Sequence, residues 1–198
     1  MRYLAVSIDT KDKKVLVVGG GRVAFRKVKV LVETDFSIDI VSKDFVDDFK
    51  GLEENPKISF IWRDLDQSFV LGDYDYLIIA SSDKTLNENL EDQARQKKIP
   101  FLNASTSENS DFIMNKILSQ GDLTVSLSTG GKNPGLLGIL SDQVEELLAD
   151  LDYEKIEALN KIRQDLVARG EKNIGQTIRD LYAKPLDQIK KYGEENCK

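Results

Sequence analysis

The chain has 198 residues, with 28 Lys+Arg against 34 Asp+Glu for a formal charge of −6, no His and one Cys. That length allows one compact core with an appendage, and the acidic balance excludes a broad nucleic-acid face, which needs clustered positive charge. Imidazole base chemistry, His-ligated zinc and, with Cys197 alone, an internal disulfide or thiolate cluster are excluded as well, so no metal site is expected and any proton transfer falls to a carboxylate, Lys, Tyr or hydroxyl.

Val15–Val18 is an apolar run of buried-strand length, followed at once by Gly19-Gly20-Gly21 and a helical period through about Glu33. A strand at Ser37–Ser42, a short polar helix near Asp44–Lys50 and a strand at Lys57–Trp62 come next. Tyr74–Ala80 is another strand, Thr85–Lys97 a charged surface helix, and Ile99–Asn103 a further strand. Strands alternating with helices predict parallel βαβ units, whose right-handed crossovers build an α/β, Rossmann-type doubly wound parallel sheet. After Asn103 the pattern changes. Ala104–Ser110 is polar and turn-like, Asp111–Leu118 is apolar, Gly121-Asp122 turns the chain, and Leu123–Ser128 alternates as a strand. A second glycine-containing loop, residues 129–134, precedes a helix over Leu136–Ala149. The remainder reads as helical: Ile156, Leu159, Ile162 and Leu166 share a face, Gly170 is placed for a C-cap, and Pro185 interrupts the last helix. The longest apolar runs, Val15–Val18 and Leu77–Ala80, are far shorter than the ~20 residues a membrane span needs, which predicts a cytoplasmic chain with no membrane partner.

Gly19-Gly20-Gly21-Arg22-Val23-Ala24 fits G-x-G-x-x-A between a strand and a helix. Gly19 permits the tight turn, Gly21 lets backbone approach a pyrophosphate, and Ala24 keeps helix and strand close. The helix N-terminus then turns oriented N–H groups toward the anion, so a dinucleotide site is expected here. Residues 11–30 carry Lys11, Lys13, Lys14, Arg22, Arg26, Lys27 and Lys29 against only Asp12, a cluster equally compatible with a solvated face. Cofactor choice rests on the end of the second strand, Ser42-Lys43-Asp44: Asp44 could reach ribose hydroxyls, whereas Lys43 could accept a 2′-phosphate. Asp39, inside that strand, reads as an exposed alternating position. Ser81, Ser82 and Asp83 fall at the carboxyl end of a strand, where open α/β sheets bind ligands; Asp83 reads equally as a helix N-cap. Asn103, ending the last strand of the sheet, is grouped with these cofactor-binding candidates.

The ordered motifs V-L-V-V-G-G-G-x-V-A-x-R-K at Val15–Lys27, A-S-S-D-x-x-x-N at Ala80–Asn87, F-I-M at Phe112–Met114 and G-D-L-T-V-S-L-S-T-G-G-K-N-P at Gly121–Pro134 resemble precorrin-2 dehydrogenase, the stand-alone form of the N-terminal part of sirohaem synthases. The resemblance covers about residues 1–150. It implies three parts, a Rossmann domain over 1–112, a dimerisation segment over 113–145 and a helical domain over 146–198. It also implies NAD-dependent oxidation of precorrin-2 to sirohydrochlorin by a homodimer, with dinucleotide contacts at Arg22, Val23, Lys43 and Asp44. The loop Ser128–Pro134 would line the substrate cleft, with Ser128, Gly130, Gly131 and Lys132 as binding residues; Lys132 and Arg22 are the partners for a substrate carboxylate, and both read equally as solvent-exposed cations.

One departure bears on catalysis. The family usually reads N-V-V-D-D after the fifth strand, and one of those aspartates serves the acid–base step. Here the position falls on Thr106, with Asn115 in place of a proline. A threonine hydroxyl is a poor base at neutral pH. Either Glu108 or Asp111 takes the role, or catalysis rests on holding substrate against the nicotinamide, or activity is reduced. Iron insertion is not expected of a chain without a ligand cluster, which leaves that step to a separate chelatase. The rival readings are a nucleotide-sensing regulatory module and a catalytically weakened tetrapyrrole-binding protein.

Overall fold

A computed structural model describes residues 2–106, 109–130 and 133–196. Five strands, β1 (Lys14–Val18), β2 (Ser37–Ser42), β3 (Ile58–Trp62), β4 (Tyr76–Ile79) and β5 (Phe101–Asn103), form one sheet in the order β3-β2-β1-β4-β5. Every pairing is parallel. The order follows from burial: Val15–Val18 can be covered on both faces only at the centre of the sheet, and each of these valines and leucines is at most 1% exposed. Alternation then sends Val15, Val17, Ile38, Ile40 and Ile78 to one face, against Ala24 and Val28 of α1 (Arg22–Leu31). Leu16, Val18, Leu77 and Ile79 go to the other, against Leu86, Leu90 and Ala94 of α2 (Lys84–Lys97). Val18 is level with Val41 on one side and Ile79 on the other. The segments leaving β1, β2 and β4 therefore open together at one edge of the sheet.

The chain divides into two compact units. One holds residues through Ile117 together with Ser126–Leu137; the other holds Leu118–Val125 together with residues from Gly138 onward. The second contains α4 (Tyr153–Ala168), α5 (Ile174–Tyr182) and α6 (Leu186–Asn196), packed around Leu159, Ile162, Leu166, Leu181 and Ile189. Gly170 takes φ +68°, and the amides of Gly170 and Glu171 close onto Val167 O and Leu166 O, so α4 ends in the left-handed turn that favours glycine. Pro185 separates α5 from α6. Before them α3 spans Pro134–Ala149.

Three features differ from the sequence reading. Lys116–Gln120 is a strand, β6, paired with β7 (Leu123–Leu127) through a turn at Gly121, φ +55°. Its outward Lys, Ser and Gln obscured the pattern, and β7 supplies the ladder that local sequence could not announce. The short polar helix is a 3₁₀ helix over Asp47–Leu52. Asp39 is not exposed: it is 7% exposed in β2, covered because β1 and β3 flank it. Tyr74 donates its hydroxyl to Asp39 Oδ2 at 2.8 Å, and Lys14 Nζ pairs with the same oxygen at 2.8 Å.

Candidate functional site

The glycine loop after β1 is shaped by three different constraints. Gly19 has φ +124°, and a Cβ there would stand 2.5 Å from Ala80 O, so the turn accepts no side chain. At Gly20 a Cβ would meet Asp44 O at 2.0 Å and Ser42 Oγ at 2.8 Å. The motif treats that position as variable, yet here it is the spacer that lets the segment after β2 cross the loop. Gly21 differs again: a Cβ there would find nothing within 4 Å. It is the N-cap of α1, and being glycine it offers no side chain to the first amides. Those of Arg22, Val23 and Ala24 thus lack an intrahelical acceptor, next to the open space at Gly21, an arrangement that fits a dinucleotide pyrophosphate. Ala24 is fully buried against the sheet, the close helix–strand contact the motif needs. One turn on, burial and the neighbouring Arg26 hold the Lys27 ammonium below the ordinary lysine pKa.

At the carboxyl ends of the strands a cleft of about 200 Å³ brings together Gly19, Ser42, Lys43, Ser81, Ser82 and Asp83. Ser42 Oγ donates to Asp44 O at 2.7 Å, and Lys43 pairs with Asp64 at 3.4 Å. Asp44 is exposed and does not line the cleft. Asp83 Oδ1 accepts from the amides of Thr85 and Leu86, capping α2. Two polar lining residues escaped the sequence reading: Arg63, whose guanidinium lies 5.5 Å from the Phe69 ring centroid, and Asp64. Their signal was the polar pair directly after the third strand, at the same sheet edge as Lys43.

The loop after β5 is organised by Asn103. Its side chain is 3% exposed and fully engaged: Nδ2 donates to Glu91 Oε1 at 2.7 Å, and Oδ1 accepts from the amides of Ser105 at 2.9 Å and Thr106 at 3.3 Å. Thr106 itself is exposed. Glu108 lies outside the described residues. Asp111 lies along the edge of β5, with Oδ2 accepting from Phe101 N at 3.1 Å and its own amide donating to Phe101 O at 2.9 Å.

A larger groove, about 1020 Å³, opens at the amino ends of β4 and β5. Tyr76 and Pro100 line it together with Asp111, Phe112, Ser128 and Gly130. Gly130 takes φ +63° and donates its amide to Ser128 Oγ at 3.1 Å. Gly131 and Lys132 lie outside the described residues. The fold thus gathers Asp111 with Ser128 and Gly130 in one cavity, and the cofactor candidates Gly19, Ser42, Lys43 and Ser81–Asp83 in another. Thr106 lines neither. Among the described residues no group of three His, Cys, Asp or Glu side chains could hold a metal ion, and no helix is long and apolar enough to cross a membrane.

Residues 6–116 match the family described as putative NAD(P)-binding. The chain is 30% identical over 169 residues to the siroheme synthase of Vesicomyosocius okutanii subsp. Calyptogena okutanii, covering 85% of this chain and 36% of that protein. It is 32% identical over 148 residues to the siroheme synthase of Blochmanniella floridana, covering 75% of this chain and 32% of that protein. It therefore spans about a third of the length of these curated relatives. A solved structure of SirC, precorrin-2 dehydrogenase, superposes with a TM-score of 0.75 at 20% identity, over 98% of each chain. That likeness places the fold.

Proposed function

The chain belongs to the putative NAD(P)-binding family, and from that premise we propose that it is an NAD-dependent dehydrogenase oxidising precorrin-2 to sirohydrochlorin, acting as a cytoplasmic homodimer with a separate chelatase downstream. The observation that carries the cofactor half is Gly21: an uncapped helix N-terminus whose glycine faces open space, beside a cleft lined by Ser42, Lys43 and Ser81–Asp83. The siroheme synthase relatives support the substrate half.

The overall change is loss of a hydride and a proton from precorrin-2. When bound, NAD supplies the hydride acceptor. The α1 amides would hold the pyrophosphate, and Lys43 and Asp64, paired at 3.4 Å at the mouth of the cleft, would be placed to meet the ribose hydroxyls. The Ser81–Asp83 turn lines the same cleft and would orient the bound cofactor. The protein's contribution is orientation, which is worth several kcal/mol of barrier when the reacting atoms are held in near-attack geometry. For the proton, Asp111 is the carboxylate that shares a groove with Ser128 and Gly130, at the opposite strand ends from the cofactor cleft, so its role requires a substrate that reaches from that groove to the nicotinamide, while Thr106, at the family's aspartate position, offers only a hydroxyl.

Dimerisation is supported by apolar surface. Along α3, Leu136, Ile139, Leu140 and Leu147 are 44%, 60%, 38% and 63% exposed. An apolar stripe of that length on one helix marks an interaction surface, and a second copy of the same stripe is its natural complement.

The deciding experiment is anaerobic incubation with enzymatically made precorrin-2 and NAD, following NADH. Stoichiometric NADH with sirohydrochlorin is expected. Tight NAD binding without NADH would favour the weakened tetrapyrrole binder, a reading that the exposed Thr106 supports. In an active chain, Asp111→Asn should lower turnover with little change in substrate affinity, since general-base help is worth about 10²–10⁴-fold. If Thr106→Asp instead raises the rate and Asp111→Asn does nothing, the base position has stayed at residue 106.

A further inference from the structure

We propose that Glu91, on α2 and outside both cavities, is a positioning residue that sets the conformation of the loop after β5 through Asn103. The inference rests on the dehydrogenase reading only in giving that loop a catalytic purpose; the geometry stands without it. Glu91 is 5% exposed, and both its carboxylate oxygens are occupied. Oε1 accepts from Asn103 Nδ2 at 2.7 Å and Oε2 from Arg95 Nη2 at 2.8 Å. Arg95 is itself anchored, lying 5.2 Å from the Phe101 ring centroid and donating from Nη1 to Asp92 at 3.0 Å. The orientation of the Asn103 amide is thereby dictated: with Nδ2 turned to Glu91, Oδ1 must face the chain that follows, where it receives the amides of Ser105 and Thr106. A flipped amide would set Oδ1 against a carboxylate and leave two loop N–H groups without an acceptor.

The same loop is tied to the cofactor cleft. Ser105 Oγ donates to Ser81 O at 3.1 Å, and Asn87 Nδ2 donates to that oxygen at 2.9 Å. Arg95, Glu91, Asn103, the 105–106 backbone and the Ser81 turn therefore form one connected polar chain, with Glu91 and Asn103 buried at its centre and Arg95, Ser105 and Thr106 reaching water at its ends. A carboxylate desolvated to this degree is costly to bury. Helix stability alone does not call for a buried carboxylate at mid-helix, because an ordinary i,i+4 pair on a helix surface contributes only tenths of a kcal/mol. Its structural return is the fixed amide of Asn103, which holds residue 106 in place relative to Ser81.

The test uses the full chain and a donor–acceptor exchange. Glu91→Ala removes the acceptor. Asn103→Asp sets two carboxylates face to face across the 2.7 Å contact. The double variant Glu91→Gln with Asn103→Asp restores complementarity, because Gln donates where Asn donated and Asp still accepts from the two loop amides. Melting curves and NAD titration identify folded, cofactor-competent variants. Amide exchange at Ser105 and Thr106, and kcat and KM for precorrin-2, are then measured on each.

The proposal expects faster exchange at both amides and a kcat lowered by about 10²-fold, the scale of an ångström-level misplacement, in Glu91→Ala and Asn103→Asp. NAD affinity and KM should change little, and exchange protection and kcat should both return in the double variant. Unchanged exchange at 105 and 106 in folded Glu91→Ala overturns it, and so does a double variant no better than Asn103→Asp. If Glu91→Ala does not fold, the comparison of Asn103→Asp with the double variant decides alone. Absence of NADH from the unaltered chain would sink the dehydrogenase reading, while amide exchange would still decide the role of Glu91.

Discussion

At the scale of single residues, three adjacent glycines carry three distinct demands, and substitution separates them. Gly21→Asp should leave the melting temperature nearly unchanged, because a side chain at that position meets nothing within 4 Å. It should nevertheless abolish NAD binding in a calorimetric titration, since it places a carboxylate where a pyrophosphate would sit. Gly20→Ala should do the reverse. Its Cβ would lie 2.0 Å from a backbone carbonyl, so the loop must shift, at a cost of about 1–3 kcal/mol, visible as a lower denaturation midpoint. Unaltered NAD affinity in folded Gly21→Asp would remove the loop from the cofactor site.

Elements show how local chemistry and ligand chemistry overlap. Asp83 ends the turn after β4, lines the cofactor cleft, and caps α2 through Thr85 N and Leu86 N at 2.9 and 3.0 Å. Asp83→Ala should cost about 1 kcal/mol from the lost cap. Asp83→Ser should recover most of that stability, because a hydroxyl also caps. If Asp83 also touches the cofactor, both variants weaken NAD binding although only one loses stability. If it is a cap alone, NAD affinity follows neither. The hairpin of β6 and β7 makes the complementary point: a strand with exposed Lys116, Ser119 and Gln120 forms because a partner strand is at hand, not because its residues demand extension.

Over the whole molecule, pH reports on polar groups that hold the sheet together. Tyr74 is pushed up to about 12 from its ordinary 10, first by burial and then by its hydrogen bond to Asp39. A pKa raised on folding contributes stability that is complete below the unfolded value and lost as pH rises through the folded one. Equilibrium denaturation should therefore show stability falling between pH 10 and about 12, and Tyr74→Phe should flatten that limb. The same substitution should cost about 1–3 kcal/mol at neutral pH, because the buried Asp39 loses a donor. At the acid end, the amide of Lys14 and the ammonium of Lys13 hold the Asp75 carboxyl below the ordinary 3.8. Its share of stability is present above that value and lost as pH falls below it. For assembly, light scattering at micromolar concentration should give about twice the chain mass, and Ile139→Glu should return it to one. A monomer at every concentration would refute the apolar stripe on α3 as a self-association surface.

Much of the sheet was determined by the sequence itself. Apolar runs such as Val15–Val18 and Leu77–Ala80 can be satisfied only by burial on both faces, and a glycine run between strand and helix announces its own turn. Those constraints are local, a few residues long, and so legible in one dimension. What tertiary structure decided was everything that depends on which segments meet. Gly20 became indispensable only because Asp44 O crosses over it. Asp39 is buried rather than exposed because β2 lies inside the sheet, where Tyr74 and Lys14 can reach it. Arg63 and Asp64 joined Lys43 because parallel register brings the ends of β2 and β3 level. Glu91 and Asn103, twelve residues apart, became partners through the packing of α2 beside β5. Periodicity and composition record what each residue prefers of its solvent, and they are blind to its neighbours in space.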